Sequence, residues 1–281
     1  MRHLLRSDFY KLRKAKYFWV CLLINLLLAA GTVFLLDFTY KLTGDQMEAQ
    51  MQAQQETLDE SGVNLTVDNI PQSYEDLNAS GQMITFFAGN TTLLLAVLIS
   101  LFVGSEFNNG TIKNIASKNY SRAQIYLSKL IVSVLVSILF TLLFAVVSTA
   151  AATILWGFGD VASGFWADTA AAAGLELLLC SAYASVFVMF SMLIRQNGGS
   201  LAANICFLEF VSLIVMLGEV ALKQIFDKTL TLSDYLIDMN MNALTAGLNR
   251  TVVLRSLGVF AGYFLIALFI GMFTFQKRDI R

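Results

Sequence analysis

The chain has 281 residues and a formal net charge of −1 at pH 7, and 57% of its residues are hydrophobic. Because soluble domains are about 45–50% apolar, this composition indicates a membrane protein, and nothing in it predicts a nucleic-acid partner. The single histidine, His3, excludes a paired-histidine metal site and a buried Ser-His-Asp or Cys-His mechanism, so we expect no enzyme, no metal site and no cofactor in this chain.

The chain begins with a basic segment, residues 1–16, that precedes the first apolar run. Leu5, Phe9 and Leu12 recur at the spacing of one helical face, and Lys11 lies among the cations of the segment. This pattern predicts an amphipathic helix in the lipid headgroup layer, with its apolar side down and its cations next to anionic lipid. The simpler alternative is a basic anchor for the first span, which needs no helix.

Six apolar runs are long enough to cross a hydrocarbon core of about 30 Å. They predict an all-α polytopic membrane domain over residues 17–281. The third run is longer than a bilayer needs, so its first turns, with Lys129, are expected to stand in the cytoplasm. The predicted spans are about 17–36, 83–104, 125–156, 170–194, 199–222 and 253–275.

Lysine and arginine predict the orientation of these spans. With both termini inside, the inner segments hold fourteen of these residues and the outer segments hold five. The bias therefore predicts a multi-pass protein with cytoplasmic N and C termini.

The two long outer loops differ in character. Residues 37–82 are acidic, and Thr43 with Gln46 resembles a capping box that would start a short helix there. The acidity of this loop could attract a cationic peptide or could simply form a solvated face. Residues 223–252 are unusually apolar but carry aspartates, which predicts semi-buried helices that dip into the outer leaflet.

Three glutamates lie inside the predicted spans and are candidates for a translocation path. Glu209 is near the middle of the fifth span, Glu176 is in the outer part of the fourth, and Glu219 is near the outer end of the fifth. A proton-coupled carrier or a channel would use Glu176 and Glu209. The structural alternative is a carboxylate that is protonated or hydrogen-bonded to a neighbouring helix, and Glu219 can reach the membrane interface.

The segment 105–124 joins the second and third spans on the predicted inner side. Asn109-Gly110 predicts a tight turn with positive φ, and Ile112 and Ile115 fall at helical spacing after it. Ser121 is predicted to be the N-cap of the next helix. A loop that only fixes topology needs cations alone, whereas the turn and the capped start favour a rigid loop that transmits force. The cations of this region are Lys113, Lys118, Arg122 and Lys129.

These residues resemble a known family. The order Phe102-x-x-x-Glu106-x-x-x-Gly110-Thr111, then Ser121-Arg122 and Ser128-Lys129, is similar to the region between spans 2 and 3 of ABC type-2 exporter permeases. The opening Asp8-Phe9-Tyr10-Lys11-Leu12-Arg13 resembles the start of small bacterial members, including those for antimicrobial-peptide export and immunity. The chain departs from the family at Asn119-Tyr120, where a proline often precedes the Ser/Thr-Arg pair.

The resemblance implies an ABC type-2 (type V) exporter permease in a bacterial plasma membrane. Such a permease pairs with a second permease chain, identical or paralogous, and with separate ABC ATP-binding subunits that hold ATP and Mg. Its substrate would be an amphipathic or antimicrobial peptide. A non-transporting immunity or sensor subunit is an alternative within the same family.

The resemblance also implies which residues contact the ATPase. This chain has no Gly-x-x-x-x-Gly-Lys-Ser/Thr loop, so ATP hydrolysis is expected on the partner chain. Within the coupling loop, Glu106 and Arg122 are predicted to pair. The expected coupling residues are Glu106, Gly110, Thr111, Lys113, Lys118, Ser121, Arg122 and Lys129.

Overall fold

The computed structural model describes residues 1–60, 74, 77–88, 91–116, 120–161, 163–226 and 231–277. Within these ranges the chain is helical and has no strand. The α-helices of these ranges are α1 Arg2–Lys14, α2 Lys16–Glu60, α3 Ala79–Phe87, α4 Thr92–Asn108, α5 Thr111–Ala116, α6 Arg122–Trp156, α7 Phe165–Ile194, α8 Asn197–Phe226, α9 Ile237–Ala246 and α10 Arg250–Lys277, and a short 3-10 helix covers Ser233–Tyr235.

Six segments of the described chain are long and apolar enough to cross a membrane. Each predicted apolar run falls inside one of them, which confirms the helical class and the six predicted apolar helices. The segments are Lys16–Leu42, Ala79–Asn108, Arg122–Trp156, Phe165–Ile194, Asn197–Gln224 and Arg250–Lys277.

The second of these segments is a broken helix, whereas the sequence predicted a continuous one. α3 ends at Phe87 and α4 begins at Thr92. The backbone N–H groups at the start of α3 donate to the carbonyls of Gly157 and Phe158, beyond the end of α6. Ala88 and Thr91, the described residues between α3 and α4, are not part of either helix.

The first span also differs from the prediction, because α2 continues to Glu60. No separate helix starts at Thr43, and the predicted capping box there is wrong. Residues 46–60 are rich in Gln, Glu, Met and Ala, which are strong helix formers, and Gly44 alone does not stop the helix.

Helix α7 lies at the centre of the bundle and packs against α4, α6, α8, α9 and α10. Its buried face carries many small side chains, which allow neighbouring helices to approach closely. Phe140 of α6 and Phe187 of α7 are large, fully buried side chains of the same core. The small buried residues of α7 are Ala172, Cys180, Ser181, Ala182, Ala184 and Ser185.

The 3-10 helix and α9 pack onto the bundle, and the predicted position of this region in the outer leaflet stays a prediction. Ile237, Met241 and Leu244 of α9 are buried. Asn240 is also buried, and its side-chain oxygen accepts hydrogen bonds from Arg255 Nε at 3.1 Å and from the Ser256 hydroxyl at 3.4 Å. The apolar side of α9 therefore faces protein, and its polar contacts hold it to α10.

Gly104 brings α4 close to the first residue of α8. A Cβ atom at Gly104 would lie 2.9 Å from the Cα and 3.0 Å from the N of Asn197, so the backbone of one of the two helices would have to shift. We expect Gly104→Ala to lower the free energy of unfolding by about 1–3 kcal/mol, measured by thermal unfolding in detergent.

Gly262 of α10 offers the matched control, because a Cβ atom there would meet nothing within 4 Å. Gly262→Ala should leave the melting temperature unchanged or raise it slightly, since alanine favours helix. Equal melting temperatures for the two variants would show that the α4–α8 approach is looser than described.

Candidate functional site

The described residues between α4 and α6 have the turn and the short helix that the sequence predicted. Gly110 has a φ of +66° and follows the end of α4. The Thr111 hydroxyl donates to the carbonyl of Glu106 at 3.1 Å, which closes this turn. The short helix α5 follows, and its Ile112 is buried.

The start of α6 is also capped as predicted. The Ser121 hydroxyl accepts from the backbone N–H of Gln124 at 3.2 Å, and the Gln124 side chain accepts from the backbone N–H of Ser121 at the same distance. This capping box fixes the first turn of α6. The short helix α5 is therefore bounded by a turn on one side and leads to a capped helix on the other.

A charge cluster, formed by Asp8, Lys11, Glu106, Ser128 and Lys129, joins α1, α4 and α6. The Lys129 ammonium lies 2.8 Å from Asp8 Oδ1 and 2.7 Å from Glu106 Oε1. Lys11 Nζ is 2.9 Å from the same Glu106 oxygen. The Ser128 hydroxyl donates to Asp8 Oδ2 at 2.7 Å. Each charge of the cluster therefore has a partner of opposite sign on another helix.

Most of this charge cluster is withdrawn from solvent. The side chains of Lys129, Asp8 and Glu106 are 1%, 2% and 7% exposed, and that of Lys11 is 36% exposed. Lys129 Nζ also lies 4.5 Å from the centroid of the Phe102 ring, in cation–π contact. Since buried charges are costly unless they are paired, the charge cluster is stable only while all three helices are docked.

The charge cluster shows which faces of α1 and α6 meet. The Lys129 ammonium is enclosed between α1 and α4, and its position on the cytoplasmic side of the membrane stays a prediction. Helix α1 turns Leu4, Asp8 and Leu12 towards the protein, whereas Phe9 is exposed. Of the three residues on the predicted apolar face, Leu12 is buried against protein and Phe9 is exposed, and the placement of α1 in the headgroup layer stays a prediction.

The predicted pair of Glu106 and Arg122 does not form. Glu106 pairs with Lys11 and Lys129, and Arg122 Nη1 instead donates to the backbone carbonyl of Gln276 at 2.9 Å. Arg122 therefore ties α6 to the last turn of α10. The side chain of Lys113 and the whole of Lys118 lie outside the described part of the chain.

The end of α7 completes this side of the bundle. Arg195 has a left-handed φ of 61° and forms the tight turn to α8 that the sequence predicted. Its guanidinium lies 5.9 Å from the ring centroid of Phe107 on α4 and 6.0 Å from that of Phe275 on α10. The ends of α4, α7 and α10 thus meet beside the charge cluster.

The three candidate glutamates of a translocation path do not form one site. Glu176 is fully buried on α7, and neither of its carboxylate oxygens has a hydrogen-bond partner among the described residues. Glu209 is exposed on the surface of α8. Glu219 accepts hydrogen bonds from the backbone N–H and the hydroxyl of Ser233, so it holds the 3-10 helix against α8. One carboxylate is thus enclosed, one is on the surface and one is structural.

The sequence signals for the charge cluster were present but separate. Asp8 is the single acid among the cations of residues 2–16, and Lys129 lies inside an apolar run. Each residue has a charge that is unusual in its own segment, and the ion pair between the two explains both charges. In the described residues, no group of three or more His, Cys, Asp or Glu side chains is arranged to hold a metal.

The described part of the chain is helical and has six apolar helices that are long enough to cross a membrane. Residues 49–281 match the family described as "Protein of unknown function (DUF2705)", and this match covers most of the chain. The protein therefore belongs to this family. A comparison with curated proteins finds no match to the sequence.

Proposed function

We propose that the chain is the membrane-spanning permease subunit of an ATP-binding cassette exporter of the ABC type-2 family, which its sequence resembles. The observation that carries the proposal is the charge cluster. It connects α1 to both helices that flank α5, so α4 and α6 are held as one unit around that short helix. A force on α5 would move both helices together.

In the proposed mechanism α5 is the coupling helix that docks on a separate ATP-binding subunit. The turn at Gly110 makes the connection from α4 to α5 short and defined, and the capping box at Ser121 fixes the first turn of α6. Closure of the ATPase on ATP and Mg would push α5, and the salt bridges of Lys129 would transmit the displacement to α1 as well. This chain supplies the lever, and the partner supplies the free energy of ATP hydrolysis.

The proposed assembly contains two permease chains, identical or paralogous, in a bacterial plasma membrane. The excess of lysine and arginine on one set of segments supports cytoplasmic N and C termini. The proposed substrate is an amphipathic or antimicrobial peptide, which rests on the family resemblance and is consistent with the acidic loop 37–82. An immunity or sensor subunit would bind such a peptide without moving it.

A proton-coupled carrier is the alternative, and the buried Glu176 favours it. Its buried carboxylate has no hydrogen-bond partner among the described residues, and an ionisable group inside a membrane protein is a candidate for proton binding. Glu209 weakens this alternative, because it lies on the surface of α8 and shares no enclosed space with Glu176. Transport that survives ATP depletion and stops when the proton gradient collapses would favour the carrier.

Gel filtration of the purified chain with its ATP-binding subunit tests the proposed docking. We expect the two to elute together, and we expect Asn114→Trp, on the exposed side of α5, to separate them. Val161→Trp is the matched control, since Val161 is exposed at the far end of α6 from the charge cluster. Co-elution of the Asn114→Trp variant at the wild-type level would contradict docking through α5.

A further inference from the structure

A crevice opens between α7, α8, α9 and α10, away from the charge cluster. Its empty space is about 220 Å³, which includes the open solvent at its mouth. Its polar lining comes from Tyr183, Ser212, Asp238 and Tyr263, and the remaining lining is apolar. The enclosed part has room for roughly one water-sized group. The crevice therefore combines a small polar pocket with an apolar entrance.

The crevice lies deep along the apolar helices. Tyr183, Phe207 and Tyr263 are each in the middle third of their helix, on α7, α8 and α10. Helix α9 begins at this depth, because its first residues line the same crevice. A carboxylate at this depth, Asp238, is a candidate for function, since ionisable groups are costly within a membrane.

The charge of Asp238 is not neutralised by the part of the chain that the structure describes. No lysine or arginine of that part forms an ion pair with it, whereas Asp234, four residues earlier, pairs with Arg255 at 3.2 Å. Asp238 lies in the first turn of α9, where the helix dipole stabilises a negative charge. The carboxylate is close enough to Tyr183 and Tyr263 to interact with both electrostatically.

Aromatic rings form the wall beside this carboxylate. The Phe207 ring meets Tyr183 edge-on at a centroid distance of 6.3 Å and meets Tyr263 edge-on at 6.4 Å. Tyrosine and phenylalanine rings attract cations that approach their faces, and the two tyrosine hydroxyls can accept hydrogen bonds. A carboxylate, rings and hydroxyls together suit an organic cation rather than an anion.

We propose that this crevice binds the primary ammonium group of a cationic amphiphile. A primary ammonium is about the size of a water molecule and has three N–H donors, which match the carboxylate of Asp238 and the hydroxyls of Tyr183 and Tyr263. The apolar body of the ligand would leave through the mouth and lie on α8, where Phe210 and Ile214 are exposed next to the lining residues. This inference rests on the proposed function and narrows its substrate to amphiphiles that carry an amine.

The test is the affinity of the full chain, in nanodiscs of phosphatidylcholine and phosphatidylglycerol, for a synthetic amphipathic peptide whose only cations are lysines. We expect Asp238→Asn to weaken binding roughly tenfold or more, because a charge-assisted contact is lost. Asp160→Asn removes the same charge from an exposed loop and should change nothing. The same peptide with acetylated lysines should bind weakly and be insensitive to Asp238→Asn.

Two further measurements distinguish a lipid amine from a lysine side chain as the ligand and control for misfolding of the variant. If phosphatidylethanolamine in the nanodiscs competes with the peptide, a lipid amine also occupies the crevice. If it does not compete, the lysine side chain is the ligand. Either result supports an ammonium site. Asp238→Glu, which keeps the charge, should retain binding. The acetylated peptide on the wild-type chain tests the same contact without any substitution.

Equal affinity of the wild type and Asp238→Asn for the lysine peptide would overturn the proposal. Equal losses for Asp238→Asn and Asp160→Asn would overturn it too, because they would show only a general attraction of charge. The assay contains no ATP-binding subunit. Binding that depends on Asp238 would therefore stand even if docking through α5 failed, and that failure would refute only the proposed function.

Discussion

Replacing Lys129 by methionine is expected to lower the free energy of unfolding by about 3–5 kcal/mol. The change leaves the buried carboxylates of Asp8 and Glu106 with Lys11 as the one remaining cation of the charge cluster. Methionine is a long, flexible side chain that still fills the space over the Phe102 ring, so the loss reports charge rather than a cavity. Chemical or thermal unfolding of the purified protein in detergent measures it.

Two further variants test whether this loss of stability comes from the missing charge of Lys129. Lys14→Met removes an exposed lysine of α1 that lies over the Tyr10 ring, and it should cost less than about 1 kcal/mol. Adding Asp8→Asn to Lys129→Met should recover part of the stability, because the remaining pair of Lys11 and Glu106 is neutral. Equal losses for Lys14→Met and Lys129→Met would mean that the charge cluster does not hold the helices together.

Changing Lys113, Lys118 and Arg122 together to glutamate is expected to abolish the stimulation of ATP hydrolysis in the proposed complex of this chain with an ATP-binding subunit. These cations belong to α5 and its connection to α6, the proposed docking surface, and reversing them replaces attraction by repulsion at that surface. The fold should persist, since the contact of Arg122 with the Gln276 carbonyl is exposed. The rate of ATP hydrolysis in proteoliposomes is the measurement.

The matched control places the same kind of reversal at the opposite end of the helices. Lys223 near the end of α8 and Arg250 at the start of α10 are both exposed. Their change to glutamate should leave the stimulated rate at the wild-type level. If the triple variant of the α5 region also keeps that rate, α5 is not where the ATPase docks.

Local features of the fold could be predicted because their causes are local. Gly110 follows an asparagine in a tight turn, and Ser121 precedes Gln124 by three residues, which is a capping box. The six apolar helices follow from the length of the apolar runs. In each case the residues that decide the structure are neighbours in the chain.

Helix continuity was predicted less well, because competing tendencies are close in free energy. A single glycine at position 44 costs about 1 kcal/mol, which the helix formers after it outweigh, so α2 continues to Glu60. The apolar run 83–104 gave no reason to expect a break between α3 and α4. The start of α3 forms hydrogen bonds to the segment after α6. Those bonds are contacts between distant parts of the chain.

The charge cluster could not be predicted for the same reason. Asp8 and Lys129 are separated by 121 positions, and each alone fits a simpler explanation. Asp8 fits a solvated helix face, and Lys129 fits a helix that extends into the cytoplasm. Only the docking of α1 between α4 and α6 brings the two charges together and selects the buried face of α1.

In the proposed mechanism this chain moves its substrate only when a separate ATPase pushes it through α5. The direct measurement is the accumulation of a labelled lysine-containing amphipathic peptide in proteoliposomes, prepared with the chain alone and with the chain plus the proposed ATP-binding subunit. We expect uphill accumulation with both subunits and ATP, and none with the chain alone. Uphill accumulation by the chain alone, driven by a proton gradient, would contradict it.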